Sequence, residues 1–213
     1  MNQQTVLHGA GAPPLRPDLA AIAEMIPPGT RVLDIGCGDG SLLEYLVRAK
    51  NVDARGLELI QQNVNQCVAR GLSVVQGDAD TDLNEYPSGV FDITILSQTI
   101  QATRQPRYVL GELLRIGKRT VVSFPNFGHW RVRASLAFRG RMPVTKTLGH
   151  YWYDTPNIHL CTIADFLALA RECGAHIEKA LALTGDGRTQ PMSPNAWGPN
   201  LFAEGAIFLL AKK

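Results

Sequence analysis

One stretch constrains this chain more than any other: Val32-Leu33-Asp34-Ile35-Gly36-Cys37-Gly38-Asp39-Gly40-Ser41. An apolar run ends in an acid, three alternating glycines follow, and Ser41 to Ala49 then places Leu42, Leu43, Leu46 and Val47 on one helical face. Strand, tight turn and amphipathic helix in that order open a βαβ unit and predict an α/β fold. In such folds ligands bind in the crevice outside the carboxyl ends of the strands. Glycines at alternate positions permit positive φ and remove the Cβ atoms that keep a ligand from the main chain. The loop therefore predicts a pocket, and a nucleoside-type ligand to fill it.

A dinucleotide loop reads G-x-G-x-x-G, whereas here the third glycine comes one residue early, as Gly40, with Ser41 in its place. No G-x-x-x-x-G-K-[ST] occurs, so a phosphate-cradling loop is not supported. Asp34 suits a cation better than a pyrophosphate. A nucleoside carrying an ammonium and a sulfonium is S-adenosylmethionine. Two further acids fit it. Glu58 ends the strand-like Arg55 to Leu59 and can accept both ribose hydroxyls, and Asp78 follows the strand-like run beginning at Ser73 and can accept the adenine amino group. The alternative makes Asp34 and Glu58 solvating strand-end charges and the glycines a tight turn, and for a lone glycine loop that reading is favoured; the ordered set favours the ligand.

With these residues the chain resembles the class I S-adenosylmethionine-dependent methyltransferases, in which Asp34, Gly36, Gly38, Glu58 and Asp78 have matching roles. The resemblance implies a Rossmann-like, doubly wound, mostly parallel seven-stranded sheet with an antiparallel edge strand. It implies S-adenosylmethionine or S-adenosylhomocysteine as the cofactor. The expected cofactor-binding set is Asp34, Gly36, Cys37, Gly38, Glu58, Leu59, Asp78, Ala79 and Ser97.

The remaining pattern is consistent with alternation. Helices are expected over Asp18 to Ile26, Gln61 to Arg70, Pro106 to Ile116 and Ile163 to Cys173, the last capped by Thr162 and stopped by Gly174. Strands are expected at Phe91 to Leu96, Arg119 to Phe124, Ala175 to Leu183 and Ala206 to Ala211, the last two as an antiparallel pair at the sheet edge. The 213 residues fit a single domain. Residues 1–16, rich in Gln, Gly and Pro, form an arm that either stays disordered or folds over the pocket.

A net charge of +2 is too mild to predict a nucleic-acid partner; Arg131, Arg133, Arg139 and Arg141 form the only dense basic run. Cys37, Cys67, Cys161 and Cys173 are far apart, without C-x-x-C or zinc-like histidine spacing, so no metal site and four reduced, structural thiols are expected. No apolar run approaches the ~18 residues of a membrane span and no targeting segment is evident, so a cytoplasmic protein is expected.

Residues 125–160 exceed a simple crossover and are expected to form a cap over the pocket. The block Phe124-Pro125-Asn126-Phe127-Gly128-His129-Trp130 leads into them and His150-Tyr151-Trp152-Tyr153-Asp154-Thr155-Pro156-Asn157-Ile158-His159 lies toward their end. His129 and His159 are the candidate general bases. With no partner acid evident, local hydrogen bonding is the favoured role for both. Trp130, Trp152 and Tyr153 suit either stacking on a flat substrate or anchoring a protein interface.

Val32 to Gly40, Ser97-Gln98-Thr99, Ser123 to Arg131, Gly140-Arg141-Met142-Pro143-Val144 and Tyr151 to His159 carry a narrower resemblance over the whole chain, to the MetW proteins of methionine biosynthesis. It implies a role beside a MetX-type homoserine O-acyltransferase, which the chain is expected to support or activate. Two functions follow. One is an accessory protein for which S-adenosylmethionine is a structural ligand or metabolic signal; the other is a methyltransferase acting on a small molecule, since methyl transfer needs little beyond positioning and desolvation.

Overall fold

The computed structural model describes residues 15–145, 148–193 and 197–212; most of the expected arm, residues 1–14, lies outside them. Eight strands form one sheet: β1 (Arg31–Ile35), β2 (Asp53–Glu58), β3 (Ser73–Gln76), β4 (Phe91–Ser97), β5 (Gly117–Pro125), β6 (Ala175–Leu183), β7 (Thr189–Pro191) and β8 (Gly205–Lys212). Their order is β3-β2-β1-β4-β5-β8-β6-β7. The first five are parallel, and the order reverses between β1 and β4, which opens a crevice at their carboxyl ends. β8 inserts antiparallel between β5 and β6. The two final strands pair as their sequences indicate, but β8 lies inside the sheet and the short β7 supplies an eighth, outermost strand.

Among the described residues seven α-helices accompany the sheet: α1 (Pro17–Glu24), α2 (Ser41–Lys50), α3 (Gln61–Ala69), α4 (Pro106–Ile116), α5 (Trp130–Arg139), α6 (Ile163–Glu172) and α7 (Trp197–Phe202). The two faces of β1 show why two layers form. Leu33 and Ile35 pack with α4 and α6, whereas Val32 packs with α1, α2 and α3. Successive strand residues point to opposite faces, and a parallel sheet must bury both. Phe124, Phe166 and Phe208 meet at 4.7 to 6.0 Å between ring centroids and fasten α6 across β5 and β8. At the start of α6, Thr162 and Asp165 form a reciprocal capping box.

Past the end of β5, the one regular element among the described residues of 125–160 is α5, which buries only Val132 and ends on the left-handed Gly140. The other described residues of the insertion form turns and irregular chain. Among the described residues no helix is long and apolar enough to cross a membrane.

Candidate functional site

The glycine turn is built by short-range necessity. Gly36 has φ +70, its N–H donates to the Leu57 carbonyl at 2.8 Å, and a Cβ there would lie 2.5 Å from Thr99 Oγ1. Only glycine fits. Gly38, at φ +58, has nothing within 4 Å of where its Cβ would point, so its backbone borders open space.

That space is a cavity of about 370 Å³. Asp34, Gly36, Cys37, Gly38 and Ser97 of the expected cofactor set line it, and α1 closes its other side through Leu19 with the preceding Leu15 and Arg16. Asp34 reaches it from the end of β1, is 2% exposed, and its Oδ1 has no hydrogen-bond partner among the described residues. Burial, and secondarily the nearby Glu58 charge, push its pKa from 3.8 to about 8. An uncompensated buried carboxyl is expensive unless something else supplies the partner. At this position the missing partner is a donor or a cation.

Glu58, Leu59, Asp78 and Ala79 lie outside that lining, at the ends of β2 and β3. Glu58 is buried; its Oε2 accepts from the Gly38 amide at 2.8 Å and its Oε1 from the Ile60 amide at 2.9 Å. The side chain thus holds the glycine turn to the end of β2. Glu58→Ala strands both amides, and about 1–3 kcal/mol of stability should be lost in a denaturant titration; a wild-type midpoint would refute that role. Leu59 is exposed, as is its neighbour Ile60, which leaves an apolar shelf beside this turn.

Asp78 accepts from the Asp80 amide at 2.9 Å through Oδ1, while its Oδ2 pairs with Arg104 at 2.5 Å. Two residues escaped the sequence reading here. Asp80 is buried and accepts the Arg104 and Gln105 amides at 2.8 Å each, the free N–H groups just ahead of α4. Arg104 spans both acids. The paired acids of Gly77-Asp78-Ala79-Asp80 and the uncapped start at Pro106 were the available signals.

The candidate bases lie elsewhere. His129 is the N-cap of α5, where its Nδ1 accepts from the Arg131 amide at 3.3 Å, and burial lowers its pKa. It lines a separate cavity of about 600 Å³ beside Trp130 and Arg131. His159 sits against the Gln101–Arg104 segment, with its amide 2.9 Å from the Gln101 carbonyl and Nε2 3.3 Å from the Arg104 carbonyl. Neither lines the glycine-turn cavity, nor does any other described residue of 125–160. His129→Ala should cost about 1 kcal/mol of stability, and His129→Asn, which keeps an acceptor, should recover most of it. Equal losses in the two variants would contradict the capping role.

All four cysteines are free, and no cluster of metal-ligating side chains occurs among the described residues. The aromatic groups of the insertion stay outside the core. Trp152 is 70% and Phe138 88% exposed, Tyr151 stacks on Tyr153 at 5.5 Å, and Trp152 meets Tyr153 edge-on at 5.6 Å.

Comparison with known proteins places this geometry. Over the sheet, the chain is similar to an S-adenosylmethionine-dependent methyltransferase from Mesorhizobium loti, with 15% identity, a TM-score of 0.67, and coverage of 92% of this chain and 98% of that one. It is also similar to one from Thermotoga maritima, with 17% identity, a TM-score of 0.66, and coverage of 92% and 87%. At such identities the likeness establishes the methyltransferase fold. In sequence it is 32% identical, over 204 residues, to the bifunctional methionine biosynthesis protein MetXA/MetW of Rhodopirellula baltica. That alignment takes in 91% of this chain and 32% of the relative, so the chain spans about a third of the relative's length. Residues 16–210 match the family model described as methionine biosynthesis protein MetW, and with it the blocks from Asp34 to His159 find their common origin: the chain belongs to the MetW family.

Proposed function

We propose that this chain is an S-adenosylmethionine-binding accessory protein that supports or activates a MetX-type homoserine O-acyltransferase. The observation that carries the reading is the division of the molecule into a cavity with an unsatisfied buried acid and an insertion whose aromatic side chains face outward. A carboxyl at the cavity wall suits the ammonium and sulfonium of S-adenosylmethionine. The open side of Gly38 suits close approach of the ligand to the backbone. Glu58 with Leu59 is assigned to the ribose, Asp78 with Ala79 to the adenine, and Gly36, Cys37 and Ser97 to the cavity wall. Glu58 Oε1 accepts from the Ile60 amide and, at 3.4 Å, from the Asn63 side-chain amide, while among the described residues Oε2 accepts only the Gly38 amide and keeps a lone pair for a ribose hydroxyl.

An outward aromatic cluster is the composition of interface anchors. The Rhodopirellula baltica relative is named for MetXA and MetW in one protein, which supports the acyltransferase as the partner. The segment from Gln101 to Arg104 offers a route between the two regions. Arg104 holds Asp78 and Asp80, while its carbonyl and that of Gln101 meet Ile158 and His159 of the insertion. A ligand that competes for Asp78 thereby acts on the insertion's anchor, and differential binding to free and partnered chain gives feedback by linkage.

Equilibrium dialysis with labelled S-adenosylmethionine, and co-elution of the chain with the acyltransferase on gel filtration, test the two halves separately. Saturable binding and a shared peak are expected. Binding with no shared peak, together with transfer of the label to a small molecule, would make the chain a methyltransferase instead.

A further inference from the structure

The insertion concentrates charge of one sign. From Leu113 to Tyr153 the chain contains no aspartate or glutamate, and Arg131, Arg133, Arg139 and Arg141 are all exposed. None of these four takes part in the ion pairs of the described residues, although arginines on either side in sequence do. Arg131 lies over the Trp130 ring at 5.4 Å and the Arg133 Nε donates to the Gly128 carbonyl. Because the whole chain carries a net charge of only +2, the rest of its surface is net acidic, and the field directs an acidic partner toward this face.

Apolar groups accompany the charge. α5 turns Leu136 and Phe138 outward, and the stacked Tyr151–Trp152–Tyr153 group holds its rings in fixed mutual orientations. Guanidinium groups match carboxylates in a bidentate fork, and arginine with large aromatics is the usual make-up of the residues that dominate binding energy. The Ser135 hydroxyl of α5 donates to the Arg141 carbonyl at 3.1 Å, and the following Met142 and Pro143 line one recess with Trp152, which joins the two groups. We infer that this surface, from α5 to Tyr151–Tyr153, docks on an acidic protein surface, a carboxylate rim around apolar recesses that take Phe138 and Trp152. The inference rests on the accessory reading and names the acyltransferase surface that this reading requires.

The test is association of the full chain with the MetX-type enzyme, followed by surface plasmon resonance between about 50 and 500 mM sodium chloride. Arg139→Glu/Arg141→Glu should slow association about tenfold at low salt and flatten its salt dependence, because rim charges act on the on-rate. Phe138→Ala should raise the dissociation rate by about tenfold or more. All three residues are exposed, and binding of S-adenosylmethionine by both variants should equal the wild type, which excludes misfolding. Unchanged kinetics in both variants, with the wild-type pair still forming, would overturn the docking face and leave the accessory role standing. Absence of any wild-type complex would overturn both, and a single-stranded oligonucleotide retained by the wild type but not by Arg139→Glu/Arg141→Glu would give the face to nucleic acid.

Discussion

Asp34→Asn is expected to stabilise the unliganded protein and to weaken S-adenosylmethionine binding by roughly 10- to 100-fold, the loss of a charge-assisted contact worth ~1.5–3 kcal/mol. The opposed signs come from one cause. Among the described residues Asp34 has no partner for its buried Oδ1, and its pKa stands at about 8 against an ordinary 3.8. Between pH 4 and pH 8 the unfolded chain has released this proton while the native chain keeps it. Unfolding then releases a proton, so native stability falls as pH rises, by ~1.4 kcal/mol per unit at most, and levels off above pH 8. Asparagine removes that slope. Denaturant titrations of both forms across this window should therefore diverge toward high pH, with the variant the more stable.

Binding should have the reverse dependence. A cationic ligand pairs with the ionised carboxylate, so below pH 8 it must expel the proton, and affinity should rise by up to about tenfold per pH unit. Calorimetry at pH 7 in buffers of different ionisation enthalpy should detect close to one proton released, and none with Asp34→Asn. An affinity that is flat with pH, without proton release, would place the ligand's charges away from Asp34.

Gly36→Ala should produce the largest loss of stability among single-residue changes in the turn, on the order of 2–4 kcal/mol, through two separable costs. A φ of +70 costs a non-glycine residue about 1–2 kcal/mol. The added Cβ would also stand 2.5 Å from Thr99 Oγ1 and 2.8 Å from Cγ2. Thr99 cannot turn aside freely, because it is branched at Cβ and its hydroxyl donates to the Ser97 carbonyl at 2.9 Å. Adding Thr99→Ala should return the steric part and leave the backbone part, so the two changes should couple strongly in a double-mutant cycle. Additive losses would mean that Thr99 is not what the glycine makes room for.

The parts of this molecule that were legible in the sequence are those set by local chemistry. α4 begins at Pro106 because proline suits the first helical turn, and β6 runs from Ala175 because Gly174 ends α6. The strand-end positions of Asp34 and Glu58 follow from the same alternation of elements. α7 and β7 were not legible: Trp197-Gly198-Pro199 lacks a helical period, and three residues cannot display alternation. Nor could the sequence show what each acid touches. Glu58 reaches Gly38 across 20 positions, and Asp80 reaches Arg104 across 24. Such pairings depend on how separate βα units stack. The same holds for the insertion, whose aromatic run reads alike whether it covers a ligand or faces solvent; only the folded chain separates the glycine-turn cavity from residues 125–160.

On the proposed function the pocket serves a partner enzyme rather than a methyl acceptor. Homoserine acylation by the MetX-type enzyme, measured alone and with increasing amounts of this chain, each with and without S-adenosylmethionine, tests it most directly when S-adenosylhomocysteine is quantified in the same tubes. The acylation rate should rise to saturation with the chain and shift with S-adenosylmethionine, with the methyl donor left unconsumed. A rate indifferent to the chain at every ratio, with S-adenosylhomocysteine accumulating alongside a methylated product, would contradict it.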